Sequence, residues 1–148
     1  MATYCMTKAG PALYLDCKEC TDRECEAFFC LVVGSRNFSD YALMETKLDR
    51  YLCNFAKIVI VSGGARGADA LAKEYARRKG YGYREFPANW NTYGKSAGYI
   101  RNEEMHKYIS HARCRGVVAF WDGQSKGTVH NFELAKQYNN PIRVVKYK

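Results

Sequence analysis

The chain has 148 residues, 47% of them hydrophobic, with 23 Lys and Arg against 15 Asp and Glu and a formal charge of +8. That length suits one domain with a core large enough to fold unaided, and 14% aromatic residues with mixed charge exclude a disordered tail or a low-complexity linker. The longest uncharged apolar run, 27–33, is far too short to cross a membrane.

Residues 28–33 (FFCLVV) read as a first buried strand ending in Gly34-Ser35-Arg36. Ser39 and Asp40 can cap a helix whose apolar positions, Tyr41, Met44, Leu48, Leu52 and Phe55, follow a 3.6-residue rhythm. A second strand over 57–61 runs into Ser62-Gly63-Gly64, and Ala68, Leu71, Ala72, Tyr75 and Ala76 mark the next helix. That helix finishes on Arg77-Arg78-Lys79-Gly80, basic residues then glycine, as a helix C-terminus prefers. A weak third strand spans 83–86, and a polar loop with Trp90 and Tyr93 leads to a third helix over 97–111. A fourth strand over 116–121, a fourth helix over 128–138 and, after Pro141, a fifth strand over 142–146 complete the chain.

Nearly continuous apolar strands alternating with amphipathic helices predict a parallel sheet covered on both faces. Right-handed crossovers then give an α/β, Rossmann-like, doubly wound sheet of five strands ordered 3-2-1-4-5. Residues 28–148 form this domain, and 1–27 read as an appended cysteine-containing extension. Ligands bind such sheets beyond the carboxyl ends of the strands, where strand order reverses. The loops there are Gly34-Ser35-Arg36, the run from Ser62 to Asp69 (SGGARGAD), and the run from Asp122 to Thr128 (DGQSKGT). Each is rich in Gly, Ser or Thr and opens a helix, so each offers free N–H groups and a positive dipole end to phosphate. Strand-to-helix turns use Gly and Ser for conformation alone, but three loops each bringing a base (Arg36, Arg66, Lys126) favour an anionic ligand. Lys95 and Arg101 can join them. Neither the Walker pattern nor G-x-G-x-x-G is present, which argues against a kinase, an ATPase or an ordinary NAD dehydrogenase.

Gly34-Ser35-Arg36, SGGARGAD (62–69), AGYIRNEEM (97–105) and Gly127-Thr128, in this order, resemble the YspA-like branch of the SLOG superfamily over about residues 28–145. The resemblance implies a Rossmann-like domain that binds a nucleotide or a nucleotide-derived small molecule, as a sensor or ligand-binding unit, and a homodimer. Relatives include the LOG phosphoribohydrolases, which cleave the N-glycosidic bond of a nucleoside monophosphate, and the single-strand-DNA-binding DprA proteins. Arg101 matches an arginine that LOG enzymes place at a helix start, whereas Asn131 stands at their glutamate position. Glu133, two residues on, lies roughly 200° around an ideal helix from Asn131. N-glycosidic cleavage builds positive charge on the sugar, which a carboxylate stabilises and an amide does not. Catalysis would therefore fall to Arg101 with Asp69 or Asp122, although Asp69 reads more readily as a first-turn acid that stabilises its helix.

The expected ligand site comprises Gly34, Ser35, Ser62, Gly63, Gly64, Gly127 and Thr128 around phosphate, with Arg36, Arg66 and Arg101 supplying charge. Asp69 and Asn102 line it, Asn131 meets the sugar, and Trp90, Tyr93 or Trp121 stacks on a base. A phosphoribohydrolase-type hydrolase is the alternative reading, and a nucleic-acid-binding protein the second. The latter rests on charge: residues 1–30 carry a net −2 and the rest of the chain +10, with clusters at Arg77-Arg78-Lys79 and Arg113-Cys114-Arg115. Such clusters are usually solvated helix ends, and no nucleic-acid motif accompanies them.

Asp16, Lys18 and Glu19 interrupt the N-terminal stretch where a signal peptide needs its apolar segment, so a cytoplasmic location is expected. Seven cysteines, an odd number, then read mostly as reduced thiols. Cys17, Cys20 and Cys25 have a spacing that can hold zinc, although only one C-x2-C pair exists where a four-cysteine site uses two. Otherwise no cofactor is indicated. His106, His111 and His130 share no ligand spacing.

Overall fold

The first strand is apolar at every position before its terminal glycine because both of its faces are covered. In the computed structural model, which describes residues 27–147 and a two-residue antiparallel pair formed by Ala2–Thr3 and Leu15–Asp16, β1 is Phe28–Gly34. Cys30 and Val32 point into one core, and Leu31 and Val33 into the other. The chain continues through α1 (Tyr41–Leu52), β2 (Ile58–Ser62), α2 (Ala68–Lys79), β3 (Gly82–Glu85), the short α3 (Trp90–Tyr93) and a 3-10 turn (Gly94–Ser96). Then come α4 (Ala97–Ser110), β4 (Cys114–Trp121), α5 (Lys126–Gln137) and β5 (Ile142–Lys146). All pairings in this sheet are parallel, and the strand order is β3-β2-β1-β4-β5. This is the Rossmann-like 3-2-1-4-5 sheet expected from the sequence.

Met44, Leu48 and Leu52 of α1 and Ala72, Tyr75 and Ala76 of α2 bury one face of the sheet with Phe28, Ile60 and Phe120. Met105 and Ile109 of α4, with the half-buried Phe132 of α5, cover the other. Asp40 caps α1 as anticipated, its Oδ1 accepting from the Leu43 N–H at 3.0 Å. The helix stops at Leu52, and Phe55 instead stacks on Phe28 from the following turn, with centroids 4.1 Å apart. The loop expected around Trp90 and Tyr93 contains α3, because the Asn89 side chain caps it by accepting from the Thr92 N–H at 3.1 Å.

Two sequence expectations change here. Cys30 and Cys53 are free, and Cys114, buried at the start of β4, is disulfide-bonded, an exception to the mostly reduced thiols expected. Cys114 lies in a run that reads as a basic cluster, and nothing in its local spacing signals a bond. Arg115 is the second correction. It belongs to β4 rather than to an exposed basic patch, is 4% exposed, and donates to Asn140 Oδ1 and to the carbonyls of Ala112, Tyr138 and Asn139. The proposed zinc ligands Cys17, Cys20 and Cys25 lie outside the described residues. Among the described residues no three His, Cys, Asp or Glu side chains gather as a metal site, and no helix is long and apolar enough to cross a membrane.

Candidate functional site

Because β1 connects to β2 on one side and β4 lies on the other, the loops after β1 and β4 diverge above the carboxyl ends of these strands. A pocket of about 640 Å³ opens between them, closed off by α4 and the loop after β2. Gly34, Ser35, Arg36, Arg66, Asp69, Lys95, Arg101, Asn102, Gly127, Thr128 and Asn131 line it. Four cationic side chains thus share one pocket, flanked by the N-terminal turns of α2 and α5.

Arg101 and Asp69 form its buried electrostatic centre, each 7% exposed. Arg101 donates from Nη1 to the Gly63 carbonyl at 2.7 Å and from Nε to Asn102 Oδ1 at 3.0 Å. Burial lowers its proton affinity and the Asp69 charge raises it. Asp69 accepts from the Ala65 N–H at 3.2 Å through Oδ2, and burial pushes its carboxyl up to about 6 against the opposing pull of Arg101. Gly63 is required by this contact, since a Cβ there would land on the Arg101 guanidinium. Gly63→Ala should displace the end of that flexible side chain with a modest stability loss, about 1–2 kcal/mol from the disturbed hydrogen bonds. Circular dichroism melts on the variant measure it, and an unchanged Tm would show that Arg101 is not held there.

Asp122 is a loop-former. Its Oδ1 accepts from the N–H groups of Gln124 (2.9 Å) and Ser125 (2.8 Å), which hold its carboxyl below the usual range. Its own N–H donates to Ser35 Oγ at 3.2 Å and ties the loops after β1 and β4 together. Thr128 donates to Ser125 Oγ at 3.2 Å. Asn131 is buried with both ends engaged: Oδ1 lies 3.1 Å from His106 Nε2 and Nδ2 donates to the Gly127 carbonyl at 3.1 Å. Glu133 is exposed on the opposite side of α5.

Other candidates fall elsewhere. Ser62 is fully buried, with its hydroxyl 2.7 Å from the Tyr83 hydroxyl, and it does not line the pocket. Gly63 and Gly64 line an adjoining cleft of about 420 Å³, shared with Arg36, Arg66, Trp90 and Arg101. Lys126 is exposed at the start of α5 outside the pocket. Trp121 braces a loop, donating Nε1–H to the Ser125 carbonyl and meeting Phe132 edge-on. Tyr93 is exposed outside both cavities, whereas Trp90 lines both, with the Arg36 guanidinium 5.9 Å from its ring centroid. Tyr99, half-exposed at the pocket and edge-on to His130 at 4.6 Å, is an addition the sequence reading lacked. Its place one turn before Asn102 on α4 was the available signal. The Arg77-Arg78-Lys79 run is a solvated helix end, ion-paired to Glu74, Glu45 and Asp49.

Residues 30–93 match the family described as YspA, cpYpsA-related SLOG. The Gene 61 protein of Mycobacterium phage D29 is 34% identical over 118 residues, spanning 76% of this chain and 91% of that protein. The chain belongs to the SLOG family. Solved structures of DNA processing protein A (DprA) share the SLOG chain's fold. The Streptococcus pneumoniae protein superposes with a TM-score of 0.58 at 23% identity over 83% of this chain. The Helicobacter pylori protein, which binds single-stranded DNA, gives 0.55 at 22% over 82%. This chain spans only 52% and 66%, respectively, of those two proteins.

Proposed function

We propose that the pocket above β1 and β4 binds a nucleotide or nucleotide-derived small molecule through its phosphate. The observation that carries this reading is the convergence of Arg36, Arg66, Lys95 and Arg101 on a single cavity of about 640 Å³. That volume suits a ligand of nucleotide size. The cations enclose a pocket beside two helix starts, where backbone N–H groups add to the positive potential. Trp90 and Tyr99 supply exposed ring faces at its rim for a base. Isothermal titration with AMP, ADP-ribose and cyclic nucleotides tests this. Arg101→Ala should weaken binding by about tenfold, the loss of roughly 1.4 kcal/mol. No binding by the wild type, or undiminished binding by the variant, refutes the reading.

Hydrolysis of the glycosidic bond is a weaker alternative, since Asn131 gives no charge and Asp122 is consumed by its loop. Release of free base from nucleoside monophosphates would establish it. Single-stranded DNA is the second alternative, favoured by the known binding of the H. pylori DprA. The burial of Arg115 and the ion pairs at the end of α2 leave less free charge on the outer surface than the sequence suggests.

A further inference from the structure

Behind the pocket, a chain of hydrogen bonds runs between α4, α5 and the start of β4, and its polarity is fixed by chemistry. Arg115 has only donors to offer, so the Asn140 atom 2.6 Å from its Nε must be the amide oxygen. The Asn140 nitrogen therefore faces His106, where it donates to the backbone carbonyl at 3.1 Å and lies 3.1 Å from Nδ1. A nitrogen that receives an N–H cannot carry a proton, so the His106 proton sits on Nε2. Nε2–H then donates to Asn131 Oδ1 at 3.1 Å, which turns the Asn131 nitrogen toward the first turn of α5. One hydrogen of that nitrogen meets the Gly127 carbonyl at 3.1 Å, and the second has no partner among the described residues. His106 is fully buried, and burial pushes its imidazole down to about 4, which keeps it neutral. Among the described residues the charged group bonded into this chain is Arg115, which reaches His106 through Asn140, and a proton on the nearby His130 would disfavour the imidazolium further.

Asn102, the other asparagine of the pocket, is fixed in the same sense. Arg101 Nε donates to its oxygen at 3.0 Å, so its nitrogen faces His130 Nδ1 at 3.4 Å. Each amide oxygen thus already faces a donor, and each amide nitrogen keeps one N–H with no partner among the described residues.

We infer that His106 is a positioning residue that locks Asn131 nitrogen-outward, so that the α5 end of the pocket receives a phosphoryl oxygen and rejects a ligand amine or ammonium. The inference rests on the proposed anion-binding reading of the pocket and assigns it a polarity: N–H donors beside Asn131, with the buried Asp69 carboxyl as the place for a ligand donor group. Rotating the Asn131 amide would set its oxygen against the Gly127 carbonyl and its nitrogen against His106 Nε2–H. Two favourable contacts would become two repulsive ones.

The test uses 15N-labelled full-length protein with inorganic phosphate and AMP as probes. Imidazole 15N spectra of the free protein should show His106 neutral with the proton on Nε2. Titration with phosphate should shift the Asn131 side-chain amide. Asn131→Asp and His106→Leu should each weaken phosphate binding at least fivefold, and His106→Gln, which can both donate and accept, should restore it to within about twofold of wild type. A His106 proton on Nδ1, an Asn131 amide unmoved by phosphate, or His106→Leu binding phosphate like wild type overturns the inference. The wild-type tautomer spectrum keeps the test decisive if a variant does not fold. AMP binding that leaves the Asn131 amide unmoved would remove this inference and retain the nucleotide reading. Phosphate shifting Asn131 while AMP binds no more tightly than phosphate would do the reverse.

Discussion

Gly67→Ala should lower stability by roughly 3 kcal/mol, because the position combines backbone strain with a collision that cannot be relieved by rotating a side chain. Gly67 precedes α2 at φ +79° and ψ −130°, a conformation that L side chains rarely adopt. A Cβ there would meet the carbonyl oxygens of Ser35 and Arg36 at 2.5 Å. Those oxygens belong to the loop after β1, and Ser35 O also accepts the Ala68 N–H at 3.2 Å. The glycine is therefore the point where the loops after β1 and β2 touch, and a methyl group must push them apart. The same displacement moves Arg36 and Arg66 away from each other. Chemical denaturation should show the loss in the midpoint at unchanged slope, and nucleotide affinity should fall with it. A variant within about 0.5 kcal/mol of wild type, the usual range for a neutral surface substitution, would show that the loops do not meet as described.

The three central strands were legible because β1, β2 and β4 are buried on both faces and read as apolar runs, whereas the edge strands β3 and β5 are mostly unburied and gave a weaker pattern. The helices α1 and α2 were legible from the 3.6-residue spacing of Met44, Leu48 and Leu52 and of Ala72, Tyr75 and Ala76. Topology then placed the loops, and Arg36, Arg66 and Arg101 meet in one pocket as the sheet requires. The polar interior was not legible. His106 was compared with other histidines for metal spacing, but its partners are Asn131 and Asn140, on α5 and just beyond it. Arg115 sits among exposed-looking bases in sequence, and only the strand start after α4 buries it against the carbonyls at the end of α5. Ser62 belongs to a phosphate-like motif yet serves β2, because the last residue of a strand points into the sheet's covering layer. Pairings across elements carry no local period, and reading the chain residue by residue misses them.

Asp69→Asn should make the protein more stable at pH 8 and leave it nearly unchanged at pH 4. The carboxyl of Asp69 is held at about 6 against an ordinary value of 3.8, so the folded chain keeps its proton more tightly than the unfolded chain does. Below pH 4 both states are protonated and the group has no effect on stability. As pH rises from about 4 to about 6 the unfolded chain ionises first, and wild-type stability falls until the folded carboxyl also ionises. The full penalty above that window is about 3 kcal/mol at 1.36 kcal/mol per pH unit. An asparagine removes it but loses one acceptor, because the carboxylate takes N–H groups from both Gly63 and Ala65. Subtracting about 1 kcal/mol for that bond leaves a gain near 2 kcal/mol at pH 8. Denaturation of both proteins across pH 4–8 reads the difference directly. Parallel curves would mean that Asp69 ionises at an ordinary pH in the folded chain. Curves that diverge upward from pH 4 would show a buried acid kept at the cost of stability in the floor of a cationic pocket, where a ligand's hydrogen-bond donor can use it.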